Sequence, residues 1–401
     1  MEGWAQRRLG DLFEVKAGGD LQVLHYSPFL TEHSRWAIYA NSLENKGLYG
    51  YTSKPRFSGN AVTITGRGDI GHAEYRPDDF DAIVRLLVLL PKVDVDCRYV
   101  TYYINSLVHF SKESTGVPQL TAPKVKSIKI NLPNSKTEQT AIANILSKVD
   151  ETIAAIQSSI ASAERLKKGL MQNLLTGKMK PDGTFRTPDE FYIDDKFGKV
   201  PVGWEVKKGI DITSKITKGQ SPKWQGFDYQ DQGILFVTSE NIQDGYIDIS
   251  NPKYLPLEFN AKIRNSQLRK GDVLINIVGA SIGRCAIFDL NVDVANTNQA
   301  VCLFRPNDEN DSVFLSLYLQ DETVRKRLFR TQVETARANL SLSDFRKFKF
   351  VIPKKQEQIK IANVIMHYND EIINLKAKIE VLSNLKKSLM QNLLSGKVRI
   401  S

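Results

Sequence analysis

The sequence predicts an α+β protein of two globular domains, each followed by a long helix. The two helices are expected to pair as an antiparallel coiled coil about a pseudo-twofold axis. Three observations carry this reading. A segment starting at Glu138 recurs from Glu357, where at a constant offset of 219 residues 18 of 41 positions are identical without a gap. Both copies keep an apolar period near 3.5 residues, the signature of a coiled-coil seam. The stretches ahead of each copy mix short β-type runs (62–65, 273–277, 301–304) with helical ones near 99–110 and 312–330.

Taken in chain order, residues 1–133 form the first globular domain and 134–177 the first long helix. Its stripe is Ile142, Leu146, Val149, Ile153, Ile156, Ile160, Ala163, Leu170 and Leu174, broken only where Lys167 takes an apolar place. Ser135 and Glu138 suit a capping box at its start, and Gly177 suits a left-handed cap at its end. Residues 178–203, with Pro181, Gly183, Pro188, Gly198 and Pro201, read as a linker. The second domain spans 204–352. The second helix spans 353–396 with the stripe Ile361, Ile365, Tyr368, Ile372, Leu375, Ile379, Leu382, Leu389 and Leu393, Lys386 at the matching break and Gly396 at its end. Residues 397–401 are a tail. About 40 helical residues at 1.5 Å each give roughly 60 Å. The domains match faintly too, with 115–133 resembling 335–353 and Gly3-Trp4 matching Gly203-Trp204.

Composition narrows the function. With 41% hydrophobic residues and 25 glycines, the chain is neither disordered nor collagen-like. Residues 1–4 open no signal peptide, and the longest apolar run, 86–90, is far short of the roughly twenty residues a membrane span needs. The expectation is a soluble, cytoplasmic protein with no membrane partner. Cys97, Cys285 and Cys302 are far apart and odd in number, and the histidines form no HExxH or HxH cluster, so neither a disulfide framework nor a metal site is expected. Net charge is +10, which invites nucleic acid. The excess is spread: residues 1–133 carry 16 basic and 14 acidic groups, 204–352 carry 20 and 18, and 353–401 carry 9 and 4. No segment is a basic tail.

Catalytic strings fail on inspection. Residues 66–71 (GRGDIG) fit G-x-G-x-x-G, but HAEYRPDDFDA follows where a phosphate-binding helix should open, and the repeat's counterpart has lost the spacing. A shared β-turn is the better reading. Residues 251–254 (NPKY) lack the second proline and the partner loop of an amino-methyltransferase. Pro188, Asp189, Asp194 and Lys196 imitate a nuclease string but crowd into the linker, and Gly177-Lys178 and Gly396-Lys397 lack the rest of a P-loop. No catalytic centre is expected.

The repeated residues resemble the specificity subunits of type I restriction–modification enzymes. The resemblance rests on apolar-Pro followed by Glu-Gln-x-x-Ile-Ala opening a long helix that closes with LKKxLMQxLLxGK, here 132–178 and 352–397. It also rests on 198–204 (GKVPVGW) before the second domain. It implies that each globular domain is a target-recognition domain reading one half of a split double-stranded DNA target. The helices then set the spacer and dock two methyltransferase subunits, joined by two nuclease/translocase subunits in the restriction assembly. S-adenosylmethionine, ATP and Mg would belong to those partners, leaving this chain non-catalytic and without a cofactor. The DNA-contact candidates are Lys54, Arg56, Arg67, His72 and Gln119 in the first domain, and Lys218, Gln220, Lys223, Trp224, Arg284, Arg337 and Asn339 in the second. They supply Arg, Lys, Gln and Asn groups suited to phosphates and base edges. Lys167, Lys168, Lys386 and Lys387 are expected exposed, available to phosphates or the methyltransferase. The alternatives are a stand-alone two-headed DNA-binding regulator and a coiled-coil protein scaffold; a self-contained methyltransferase is disfavoured by the missing cofactor loop.

Overall fold

The computed structural model describes residues 3–110, 119–329 and 339–400. The chain divides into two units, Met1–Ser159 with Leu375–Ser401, and Ile160–Asn374. Each contains one globular head, the start of one long helix and the end of the other.

The first head is built on a four-stranded antiparallel sheet in the order Phe13–Ala17, Leu87–Pro91, Ala61–Ile64, Ala73–Arg76. Both faces are buried, which is why 86–90 reads as one apolar run. Val62, Ile64, Leu87 and Leu89 face the helix Cys97–Leu107 and the start of the first long helix, packing with Tyr99, Ile104, Ile142 and Leu146. Ala61, Leu86 and Val88 face the other way, onto Phe80 and Ala82 of a second sheet. That sheet runs Tyr26–Ser27, Leu48–Thr52, Trp36–Tyr39, Phe80–Ala82, with the last two strands parallel.

The second head repeats the plan. Its four-stranded sheet is Thr213–Lys218, Val301–Pro306, Asp272–Asn276, Cys285–Phe288. Val273 and Ile275 pack on one face while Leu274 and Leu303 pack on the other. The smaller sheet again contains a parallel pair, Ile234–Val237 with Ala295–Thr297. Helices Ser312–Gln320 and Glu322–Phe329 stand where Cys97–Leu107 stands in the first head.

The long helices run Lys136–Leu174 and Lys355–Leu393, 39 residues each. Their apolar stripes are buried or half-buried throughout, while Gly177 and Gly396 each take φ of +70° at the ends. Within the first unit, Leu393 and Leu394 pack with Ile142, Ala143 and Leu146, and Lys386 Nζ lies 2.6 Å from Asp150 Oδ1. Within the second, Leu174 and Leu175 pack with Ile361, Ala362 and Ile365, and Lys167 Nζ donates to Asn369 Oδ1 at 2.7 Å. In each unit, then, the start of one helix lies beside the end of the other. Lys167 and Lys386 are therefore not the exposed groups expected from sequence. They occupy the seam because a polar group on the facing helix meets each ammonium. Lys168 and Lys387, one residue on, are exposed.

The Glu-Gln pair of the repeat joins head to helix. Gln139 is 3% exposed; its Nε2 donates to the Pro133 carbonyl (2.8 Å) and its Oε1 accepts from the Asp96 N–H (3.0 Å). Asp96 is the N-cap of Cys97–Leu107, accepting from the Arg98 and Tyr99 amides. Burial pulls the Asp96 carboxyl up, but the bonds from Arg98, Thr140 and Tyr99 outweigh it and hold it below the usual carboxylate range. Gln358 makes the same clasp, donating to Pro353 O (2.9 Å) and accepting from the N–H of Asp311, the N-cap of Ser312–Gln320 (2.8 Å). The neighbouring glutamates serve a different end from the capping box expected of Glu138. Arg399 donates to Glu138 at 2.6 and 2.9 Å, and Arg186 to Glu357 at 2.5 Å, so a carboxylate that would have capped its helix is held by an arginine instead.

The segment expected as a linker is folded. Phe191–Asp194 and Gly198–Pro201 form an antiparallel hairpin, Val200 is buried in the second core, and Arg186 also donates to the carbonyls of Gly177 and Met179. Buried contacts of this kind override the turn-forming composition.

Gln139→Ala or Gln358→Ala leaves a buried N–H and a buried carbonyl without partners, a loss of about 2–4 kcal/mol. The thermal unfolding midpoint of the full chain should fall by several degrees in either variant; an unchanged midpoint would show that the clasp is dispensable.

Candidate nucleic-acid interface

Strand register fixes which loops share one end of each main sheet. In the first head Ala17, Leu87 and Ile64 lie side by side, so the chain after 17, the turn before 87 and the loop after 64 emerge together. In the second, Lys218, Cys302 and Ile275 align likewise, bringing together the segments after 218, before 301 and after 276. Backbone bonds tie these segments laterally: Gly219 N–H donates to Asn298 O (3.0 Å) and Ile277 N–H to Ala300 O (2.9 Å).

The loop 65–72 is a closed hairpin turn, as its comparison with the repeat suggested. Thr65 N–H donates to His72 O and Gly71 N–H to Thr65 O, and no helix opens there. Asn41 braces it, its Oδ1 accepting from the Gly66 N–H at 2.6 Å and from the Arg67 N–H at 3.3 Å. Arg67 is exposed and forms a backbone bridge with Gln119, also exposed, while Leu120 N–H donates to Gly66 O (2.8 Å). His72 Nε2 lies 3.0 Å from Glu74 Oε1. Burial draws the Glu74 carboxyl up, yet the His72 bond and the Lys46 and Arg76 cations hold it below its ordinary range.

The second head answers feature by feature. Asn276 N–H donates to Arg284 O (2.9 Å), Val278 bridges Asn339, and Leu340 N–H donates to Ile277 O (2.9 Å). Arg284 is exposed and donates to Gln243 Oε1 at 2.9 Å. Arg337 lies outside the described residues. Lys218, Gln220, Lys223 and Trp224 are all exposed along one segment at this sheet end. Arg67, His72 and Gln119 thus share one end of the first sheet, and Lys218, Gln220, Arg284 and Asn339 share the equivalent end of the second. Lys54 is exposed on the loop that follows the strand Leu48–Thr52.

Arg56 is taken up by the fold. Its Nε donates to Asp81 Oδ1 at 2.5 Å, and its Nη2 to the carbonyls of Asp20 and Ala82 at 3.1 Å. Asp81 is 1% exposed, so the guanidinium neutralises a buried carboxylate. Arg56 is thus partnered within the head while the residue keeps an exposed edge. Conversely, sequence reading passed over Arg85, exposed at the same sheet end. Val84 and Arg85 both adopt left-handed φ, +53° and +59°, a costly conformation for these residue types. The run of apolar residues around Arg85 gave no sign of a turn. Asn41 was likewise hidden, since nothing in its neighbourhood marks it as the brace of a loop 25 residues away.

Two heads of one topology, presenting different polar side chains at the same sheet end, define a duplicated recognition protein. Residues 1–165 and 201–384 match the type I restriction modification DNA specificity domain, and the chain belongs to that family. It is 26% identical over 314 residues to the type I restriction enzyme MjaVIII specificity subunit of Methanocaldococcus jannaschii, covering 76% of this chain and 71% of that one. It is 26% identical over 310 residues to the EcoBI specificity subunit of Escherichia coli, covering 73% and 63%. The fold matches the crystal structure of a type I restriction–modification S subunit from M. genitalium with a TM-score of 0.61 at 17% identity, over 97% of this chain and 96% of that one.

Arg56→Ala would strand the Asp81 carboxylate, costing about 2–4 kcal/mol of stability. A lowered unfolding midpoint of the full chain is expected. Unaltered stability would show that the pair is dispensable to the fold.

Proposed function

We propose that this chain is the DNA-recognition subunit of a type I restriction–modification complex, with each head reading one half of a bipartite duplex target. The observation that carries this is the pairing of sameness and difference between the heads. The main sheet's strand order, the backbone bonds that close its end loops and the helix clasp are repeated, while the side chains at the shared sheet end are not. Arg67, His72 and Gln119 in one head face the tasks of Arg284 and Asn339 in the other, with Lys218, Gln220 and Lys223 added. Arg, Lys, Asn and Gln are the side chains that pair with base edges and phosphates.

In this reading the long helices pair along their whole seam as an antiparallel coiled coil, set the gap between half-sites and dock two methyltransferase subunits. Nuclease/translocase subunits join them for cleavage. This chain carries no catalytic step, and S-adenosylmethionine, ATP and Mg act on the partners. Among the described residues no helix is long and apolar enough to cross a membrane, and the complex would work on chromosomal and incoming DNA in the cytoplasm.

A genome-wide map of methylated bases, with and without the gene, tests the function. Loss of one split motif, two short specified blocks around a fixed unspecified gap, is the expected result. An unchanged map in a strain whose methyltransferase is expressed would favour a stand-alone regulator or scaffold.

The spacer role has its own test. Inserting seven residues, two turns, into each long helix adds about 10 Å, or about three base pairs of duplex at 3.4 Å each. The mapped gap should widen by that amount with both half-sites unchanged; altered half-sites would contradict a ruler.

A further inference from the structure

Among the described residues, the two most exposed large apolar side chains are Leu24 (97%) and Trp224 (86%). They are 200 positions apart, the same offset that aligns 11–19 with 211–219. Each is the middle residue of a one-turn 3-10 helix, Val23–His25 and Lys223–Gln225, that follows the edge strand of its main sheet. Two backbone bonds recur. His25 N–H donates to Gln22 O and Gln225 N–H to Pro222 O, at 3.0 and 2.9 Å. Tyr26 N–H donates to Val23 O, and Gly226 N–H to Lys223 O. In each case the carbonyl after the tip is held from outside, His25 O by the Ser53 N–H (3.0 Å) and Gln225 O by Lys262 Nζ (2.9 Å). Beyond the second tip, Phe227 anchors the turn edge-on against Phe259.

A single exposed apolar residue is unremarkable. Two at equivalent places, on turns braced alike and emerging from the sheet end described above, are not explained by chance exposure. Building on the DNA-reading function proposed above, we infer that Leu24 and Trp224 are paired apolar wedges, one per half-site, that insert beside a base step and unstack it.

Three features select duplex DNA over a protein partner. First, a surface that docks two copies of one subunit should be repeated in chemistry, as the long helices are. This turn keeps its two closing bonds, but it changes from Val-Leu-His to Lys-Trp-Gln and its exit from extended backbone at Tyr26 to left-handed backbone at Gly226, a divergence that suits two different half-sites. Second, unneutralised cations flank the tips: residues 214–227 contain Lys215, Lys218 and Lys223 and no carboxylate, and 45–68, which supply Ser53, add Lys46, Lys54 and Arg67, against Asp20 and Glu32 with Arg35 on the first tip's own segment. Third, Leu and aromatic side chains are apt for separating bases, and a turn already fixed loses little conformational freedom on insertion.

The test uses the full chain assembled with its methyltransferase subunits, on a duplex carrying the mapped target. 2-Aminopurine replaces each adenine on either strand of the half-sites and their flanks in turn, leaving out the base that is methylated. The wild-type complex should raise fluorescence at one step in each half-site. Leu24→Ala should abolish one signal and Trp224→Ala the other, each weakening specific binding about tenfold. Trp224→Phe should keep its signal. Non-specific binding, unfolding midpoint and methyltransferase assembly should stay at wild-type levels in all three. Signals that persist in both alanine variants overturn the wedge, and loss of assembly with base unstacking intact makes the tips protein-docking elements. A wild-type complex with no preference for the target duplex overturns the DNA-reading function, and the wedge with it.

Discussion

Gln139 and Gln358 sit where three directions of chain meet: the strand leaving the head, the helix that braces the head's sheet, and the long helix. Each side chain satisfies one carbonyl of the departing strand and one amide of the bracing helix, and both are almost wholly buried. A glutamine is well suited because its amide donates and accepts at once; an apolar residue would leave both backbone groups unpaired in the core. These bonds act together with the apolar packing of Ile142 and Leu146, and of Ile361 and Ile365, in the head cores to hold each head on its helix. The adjacent Glu138 and Glu357 extend the joint by taking Arg399 and Arg186, so that the chain following each long helix is bound within the unit it returns to.

This dependence explains why the repeat was easy to read in the helices and hard to read in the heads. A seam residue such as Ile142 or Ile361 answers to packing every three or four positions, and the period survives substitution. The strands of the heads are buried on both faces, as Val62 and Ala61 show, so no alternation marks them. The four-stranded order is set by pairings between segments up to about 90 residues apart (Thr213 with Pro306, for one), which local pattern does not record. Lys167 and Lys386 mark another limit. Their recurrence at a break in the stripe was visible, but their partners Asn369 and Asp150 are more than two hundred residues away in sequence, so a half-buried polar contact looked like a solvated face.

The candidate contact residues sort by the same logic. Arg56 and Arg67 are both arginines in acid-poor sequence, and composition treats them alike. The fold separates them, because Asp81 is buried beside one and the other sits on a turn whose backbone is already satisfied by Asn41 and Leu120. Arg85 was missed for the opposite reason: its turn is made by left-handed backbone at two residues that ordinarily extend a strand.

Fold and recognition are thus assigned to different atoms. At the sheet ends, the turns are closed by backbone bonds: Thr65 with His72, Asn276 with Arg284, Gln22 with His25, Pro222 with Gln225. A few side chains, Asn41, Thr65 and Asn276, brace these turns, and the exposed ones beside them can differ between heads without cost to either core. The head–helix joint is the reverse, since its bonds run through the side chains of Glu and Gln, and those residues are the ones the two halves keep in common. A protein that must read many targets with one assembly geometry needs that division. Leu24 and Arg67 can therefore be exchanged without disturbing a core, whereas exchanging Gln139 removes two buried bonds of the joint.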